Sequence, residues 1–138
     1  MSREANLATQ QRLGEYVKNS ELDKIAEVFT PDVVDHDPAP DQPQGAQGFT
    51  AFFTALKTAF PDASLAVDKV VADDDNISIA YRLSGTHKGT FHGVPATGKH
   101  IEVRGLQIGR FENGKIAERW GSSDELGILK QIGVKLPE

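Results

Sequence analysis

Residues 101–124, IEVRGLQIGRFENGKIAERWGSSD, decide the fold. On either side of Asn113-Gly114 the chain carries strand-like runs, and that dipeptide suits the positive-φ positions of a two-residue hairpin turn. The stretch therefore predicts two antiparallel strands. Residues 77–87, ISIAYRLSGTH, alternate in the same way: Ile77, Ile79, Tyr81, Leu83, Gly85 and His87 share one face, with Ser78, Arg82, Ser84 and Thr86 on the other. Upstream, Leu65 and Val67 open a further strand region that ends at the turn Asp73-Asp74-Asp75-Asn76. One face of such a sheet is buried and the other is wet.

The N-terminal half has a helical period instead. Leu13, Tyr16 and Val17 form one apolar stripe, and Leu22, Ile25, Ala26 and Phe29 repeat it after Asn19-Ser20, until Thr30-Pro31 stops the helix. Residues 33–43, VVDHDPAPDQP, read as a short strand running into an irregular loop. Phe49, Phe52, Phe53, Leu56 and Phe60 mark a third helix ended by Pro61-Asp62, and residues 125–132 a short terminal one ended by Gly133. Helices grouped before a run of strands predict the α+β class, with a curved antiparallel sheet wrapped over the helices and room for a cavity between the layers. The 138 residues, 1–138, are expected to form a single domain without internal repeats.

Composition removes several functions. The 15 Lys and Arg against 20 Asp and Glu leave a charge of −5 with no basic cluster, so nucleic acid is not an expected partner. No apolar run approaches the ~18 residues that cross a bilayer, so neither is a membrane. The absence of cysteine excludes disulfides, thiol nucleophiles and thiolate metal sites. The polar start MSREANLATQQR has no signal-peptide centre, and a cytoplasmic, soluble protein is expected. His36, His87, His92 and His100 match no metal-ligand spacing, so no metal is expected. GTHKGTFHGVPATGK, residues 85–99, lacks the phosphate-loop spacing, and no nucleophile elbow is present.

Parity on the last strand supplies the chemical candidates. If Trp120 faces inward, Ile116, Glu118, Ser122 and Asp124 share its face, and Asp124 arrives beside an apolar ring. Desolvation there raises a carboxyl toward the range in which it both takes and returns a proton. The alternative is that Asp124 only caps the helix beginning at Glu125. On the same reasoning His87 and Gln107 point inward, either as a polar patch for a substrate oxygen or as a satisfied core network. His36, between Asp35 and Asp37, is either a tautomer-fixed donor or a loop histidine.

Taken together, VVDHDP, AFPD, VVADDD, GTHKGTFHGVPATGK, RFENGKIAERW and DELGILKQIG, in this order and spacing, resemble the SnoaL-like polyketide cyclases, an ester cyclase-like family. The resemblance implies the cone-shaped fold of the nuclear transport factor 2-like, cystatin-like superfamily, with a deep pocket closed by N-terminal helices, and it implies a homodimer. It also implies that Asp124 is the counterpart of the family's general acid/base in an intramolecular aldol closure that needs no cofactor. His36 and His87 would then assist catalysis, while Gln107, Trp120, Tyr81 and Phe53 would contact a small hydrophobic carbonyl compound. The same fold also serves isomerases, epoxide hydrolases and non-catalytic binders. An Asp124 found at bulk solvent favours the binder.

Overall fold

Helical stripes and alternating strands sort into two layers. In the computed structural model, which describes residues 2–135, α1 (Arg3–Lys18) leads through a 3-10 helix (Leu22–Val28) to β1 (Phe29–Asp35) and α2 (Ala46–Ala59). Then come β2 (Ser64–Ala72), β3 (Asn76–Thr86), β4 (His100–Glu112), β5 (Lys115–Ser123) and α3 (Glu125–Gln131). The strands form one five-stranded sheet in the order β1-β5-β4-β3-β2. β2 through β5 are antiparallel neighbours and β1 runs parallel to β5, so the sheet is mixed and the class is α+β.

Asn113 and Gly114 take φ values of 52° and 78°, the pair of positive angles that a tight hairpin requires. The second predicted helix is the tighter 3-10 segment, and the chain is already extended at Phe29, ahead of the proline expected to stop it. Pro31 fits inside β1 because β1 is an edge strand whose pairing with β5 is irregular between Phe29 and Val34.

The apolar stripe of α2 faces the sheet. Phe49, Phe53 and Leu56 are buried, and Phe49 stacks on Phe29 of β1 at 4.1 Å between ring centres. Burying rings of this size stabilises by about 2–3 kcal/mol each. α1 is held by polar bonds as well: Ser2 caps it by accepting from the Ala5 N–H. Its buried Asn6 and Thr9 side chains donate to the carbonyls of Asp74 and Gly114, in the β2–β3 and β4–β5 turns. The helix is thereby fixed at one end of the sheet.

At the other end of β3, the exposed Asp62 accepts from the Thr86 N–H at 2.7 Å and the Thr86 hydroxyl at 2.9 Å, clipping the turn after α2 to the strand. The Thr86 N–H, first among these donors, holds the Asp62 carboxyl below the usual carboxylate range. A carboxyl lowered in the folded state adds stability above its unfolded pKa, and that stability is lost as pH falls through the folded value. Asp62→Asn is therefore expected to lower stability at pH 7 by at most about 1 kcal/mol, because water screens the site. In urea titrations the gap between variant and wild type should close as pH drops below about 4.

Candidate functional site

Register within β5 builds the site. Phe111 pairs with Ile116 but Arg110 pairs with Glu118, so Ala117 is one extra residue in the strand. Such a bulge shifts every later side chain to the opposite face. Ile116 and Ala117 are consecutively buried, and beyond them Arg119 and Ser123 point into the molecule.

This corrects the expected parity. Trp120 lies on the outer face, 37% exposed, with its ring stacked 4.6 Å from His36. Neither ring lines the cavity, and the His36 backbone N–H also ties it to β5 by donating to the Arg119 carbonyl at 2.9 Å. Asp124 is exposed, and its Oδ1 accepts from the Gly127 N–H at 2.8 Å as the N-cap of α3. It is not the inward carboxylate that unbroken alternation implies. His87 does point inward and is fully buried, but away from the cavity. Its Nδ1 accepts from the Thr97 N–H and lies 2.9 Å from the Thr97 hydroxyl, so it fastens the connection between β3 and β4. Gln107, Tyr81 and Phe53 line the cavity as expected.

That cavity, about 520 Å³, lies between α1, α2 and the inner face of the sheet. Leu13, Phe49, Phe53, Leu56, Ile79 and Leu83 contribute apolar wall. Its polar side is a linked set. Arg119 donates through Nη1 to Asp35 Oδ1 at 3.2 Å and to the Asp37 carbonyl at 3.3 Å, and through Nε to Gln107 Oε1 at 3.3 Å. The Arg119 and Asp35 side chains are only 14% and 9% exposed. Asp35 also accepts from the Asp37 N–H and from Gln42 Nε2, each at 3.0 Å.

The linkage fixes which atoms remain available. Among the described residues Arg119 Nη2 has no hydrogen-bond partner, and Gln107, whose oxygen is taken, keeps its amide hydrogens. Asp37, an exposed residue at the edge of the cavity, accepts from the Gly121 N–H at 2.9 Å through Oδ2, and its Oδ1 has no side-chain partner among the described residues. Two uncommitted donors beside an apolar wall can receive one oxygen of a bound molecule, and a carboxylate oxygen nearby can take a proton. Asp35, engaged by three donors, holds the guanidinium.

The sequence reading missed Asp35, Asp37, Arg119 and Ser123. The signal for the aspartates was present, since alternation puts positions 35 and 37 together and His36 opposite. The bulge left none. Among the described residues no group of three or more His, Asp or Glu side chains could hold a metal ion.

Residues 8–132 match the SnoaL-like polyketide cyclase family. The chain belongs to that family. It is 26% identical over 134 residues to the aklanonic acid methyl ester cyclase DnrD of Streptomyces peucetius, covering 92% of this chain and 90% of the relative. The cyclase DauD of Streptomyces sp. strain C5, named for the same ester, is also 26% identical over 134 residues, covering 92% of this chain and 81% of its own. Among solved structures, TsrD from Streptomyces laurentii has a TM-score of 0.88 at 23% identity, over 98% of this chain and 99% of that one. IdmH from Streptomyces antibioticus has a TM-score of 0.80 at 30% identity, over 94% and 99%. The family fold is thus this fold.

The capping role of Asp124 has a measurable consequence. Asp124→Ala should lower stability by about 0.5–2 kcal/mol, and Asp124→Asn by much less, since Asn caps equally well. Neither is expected to change ligand affinity in the cavity by titration. A well-folded Asp124→Asn protein with altered affinity for a cavity ligand would show that this residue does more than cap α3.

Proposed function

We propose that this family member is a cyclase-type enzyme that performs cofactor-free proton transfer, an intramolecular aldol closure or a related step, on a small hydrophobic carbonyl compound held in the cavity. One observation carries the reading: Arg119 is fastened at Nε and Nη1 and keeps Nη2 uncommitted beside an apolar wall.

In this reading the Asp37 carboxylate removes a proton beside the substrate carbonyl. Arg119 Nη2 and the Gln107 amide receive the enolate oxygen. The enolate carbon then bonds to the acceptor carbonyl carbon, and the protonated Asp37 returns its proton to the alkoxide so formed. Fixed donors aimed at developing charge are worth about 10²–10³ in rate each. Aklanonic acid methyl ester, for which the relatives are named, is the first compound to assay, with the product followed by chromatography. Arg119→Gln should lower kcat at least about 100-fold with a smaller change in KM, and Asp37→Asn should also lower kcat. Full activity in Arg119→Gln would sink the assignment.

A second reading, a non-catalytic binding module of the same fold, is favoured by the solvent-facing Asp124. It predicts that compounds bind in the cavity and are never turned over.

A homodimer is part of the proposal. Leu106, Ile108 and Trp120 stand 65%, 45% and 37% exposed on the outer face, an apolar surface that a second copy would cover. Light scattering should show a dimer, converted to monomer by Leu106→Glu with Ile108→Glu; a monomeric wild type at micromolar concentration contradicts it.

A further inference from the structure

The inner face carries two adjacent cross-strand rows. Ile79 pairs with Gln107, which pairs with Gly121; next to them Tyr81 pairs with Gly105, which pairs with Ser123. Each row contains a glycine, and in each a long polar neighbour lies over the space it leaves. A side-chain carbon added at Gly121 would stand 2.7 Å from Arg119 Nη2, and one at Gly105 would overlap the Tyr81 ring and hydroxyl. Mid-strand glycine weakens a strand and marks close approach of another group. Here that group is a cavity-lining side chain in both cases.

Lying over Gly105, the Tyr81 hydroxyl reaches Ser123 Oγ at 2.6 Å. Either oxygen can donate in this pair. The two hydroxyls hold two hydrogens and spend one on each other, so one hydrogen is left over whichever way the bond runs. Tyr81 and Ser123 both line the cavity. The pair lies two residues along the strands from Gln107 and Gly121, a step of about 7 Å.

We propose that Tyr81, seated over Gly105 and partnered by Ser123, is a second oxygen-binding position, and that it makes the cavity selective for planar ligands bearing two oxygen functions on opposite sides of a ring system. The inference rests on the cavity being a small-molecule site with Arg119 and Gln107 at its first oxygen position. Gly105 is the specificity-determining residue, because any side chain there displaces the ring.

Fluorescence titration with 1-naphthol and 1,5-dihydroxynaphthalene tests this, as the probes report their own binding and differ by one hydroxyl. The wild type should prefer the diol by about five- to tenfold, the value of one additional neutral hydrogen bond. Tyr81→Phe and Gly105→Ala should bring that ratio to about one, and Ser123→Ala, which frees the phenol to rotate, should give an intermediate ratio. If Gly105→Ala does not fold, Tyr81→Phe and Ser123→Ala still decide the matter. Equal binding of the two probes to wild type, or a preference that survives Tyr81→Phe, overturns the second position while leaving the cavity as a binding site. Failure of both probes to bind wild type removes the cavity reading and this proposal together.

Discussion

The extra residue at Ala117 governs the chemistry of the interior. Strand side chains alternate with a period of two, so a single bulge exchanges the faces of everything that follows it. Without it the end of β5 would send Glu118, Trp120 and Asp124 inward, next to the phenylalanines of α2. With it, Arg119 and Ser123 enter the cavity, and Asp124 is left at the surface to cap α3. The edge strand answers in kind: β1 pairs Val34 with Glu118 and Asp35 with Arg119, which brings the aspartate to the arginine that the bulge has turned inward.

A guanidinium in an apolar cavity is costly to desolvate, and its survival there depends on how fully it is bonded. Asp35 supplies the opposite charge, the Asp37 carbonyl and the Gln107 oxygen fill two further directions, and Gln42 and the Asp37 N–H hold Asp35 in turn. Removing one partner from such a pair leaves a buried charge, typically at 3–5 kcal/mol. The pair therefore adds little net stability, but it fixes where the remaining N–H groups point. That orientation is what an oxygen-binding site needs before the ligand arrives.

Much of the fold was legible because it follows from periods and turns. The alternation of residues 77–87 and the Asn113-Gly114 turn set β3, β4 and the start of β5, and the phenylalanine spacing set α2. The inward placement of Tyr81 and Gln107 follows from strand parity, and that of Phe53 from the helical spacing of α2. The site was less legible. Large rings are usually covered, which argues for an inward Trp120, yet on this sheet the ring stacks with His36 on the outer face. A bulge has no residue signature beyond two consecutive apolar positions, here Ile116 and Ala117, which a strand buried on both faces shows equally well. His87 does face inward, but depth along the strand decides which residues reach the cavity and which, like His87, reach the loop at its end. Alternation carries no information on depth.

The glycines at 105 and 121 connect fold to site. A sheet optimised for stability would place a β-branched residue at each inward position, filling the layer against the helices. Here two such positions are empty, and the space is taken by a phenol and a guanidinium lying across the strands instead of standing up from them. Both polar groups stay close to the sheet and the volume above them stays open, whereas upright side chains of that length would fill it. The apolar wall from α2 then faces a polar floor across the gap, an arrangement that neither the helix nor the sheet could provide alone. The stability given up in the strands is local, because Phe60, Ile77, Ile101 and Ile116 close the core around the cavity, each at most 1% exposed.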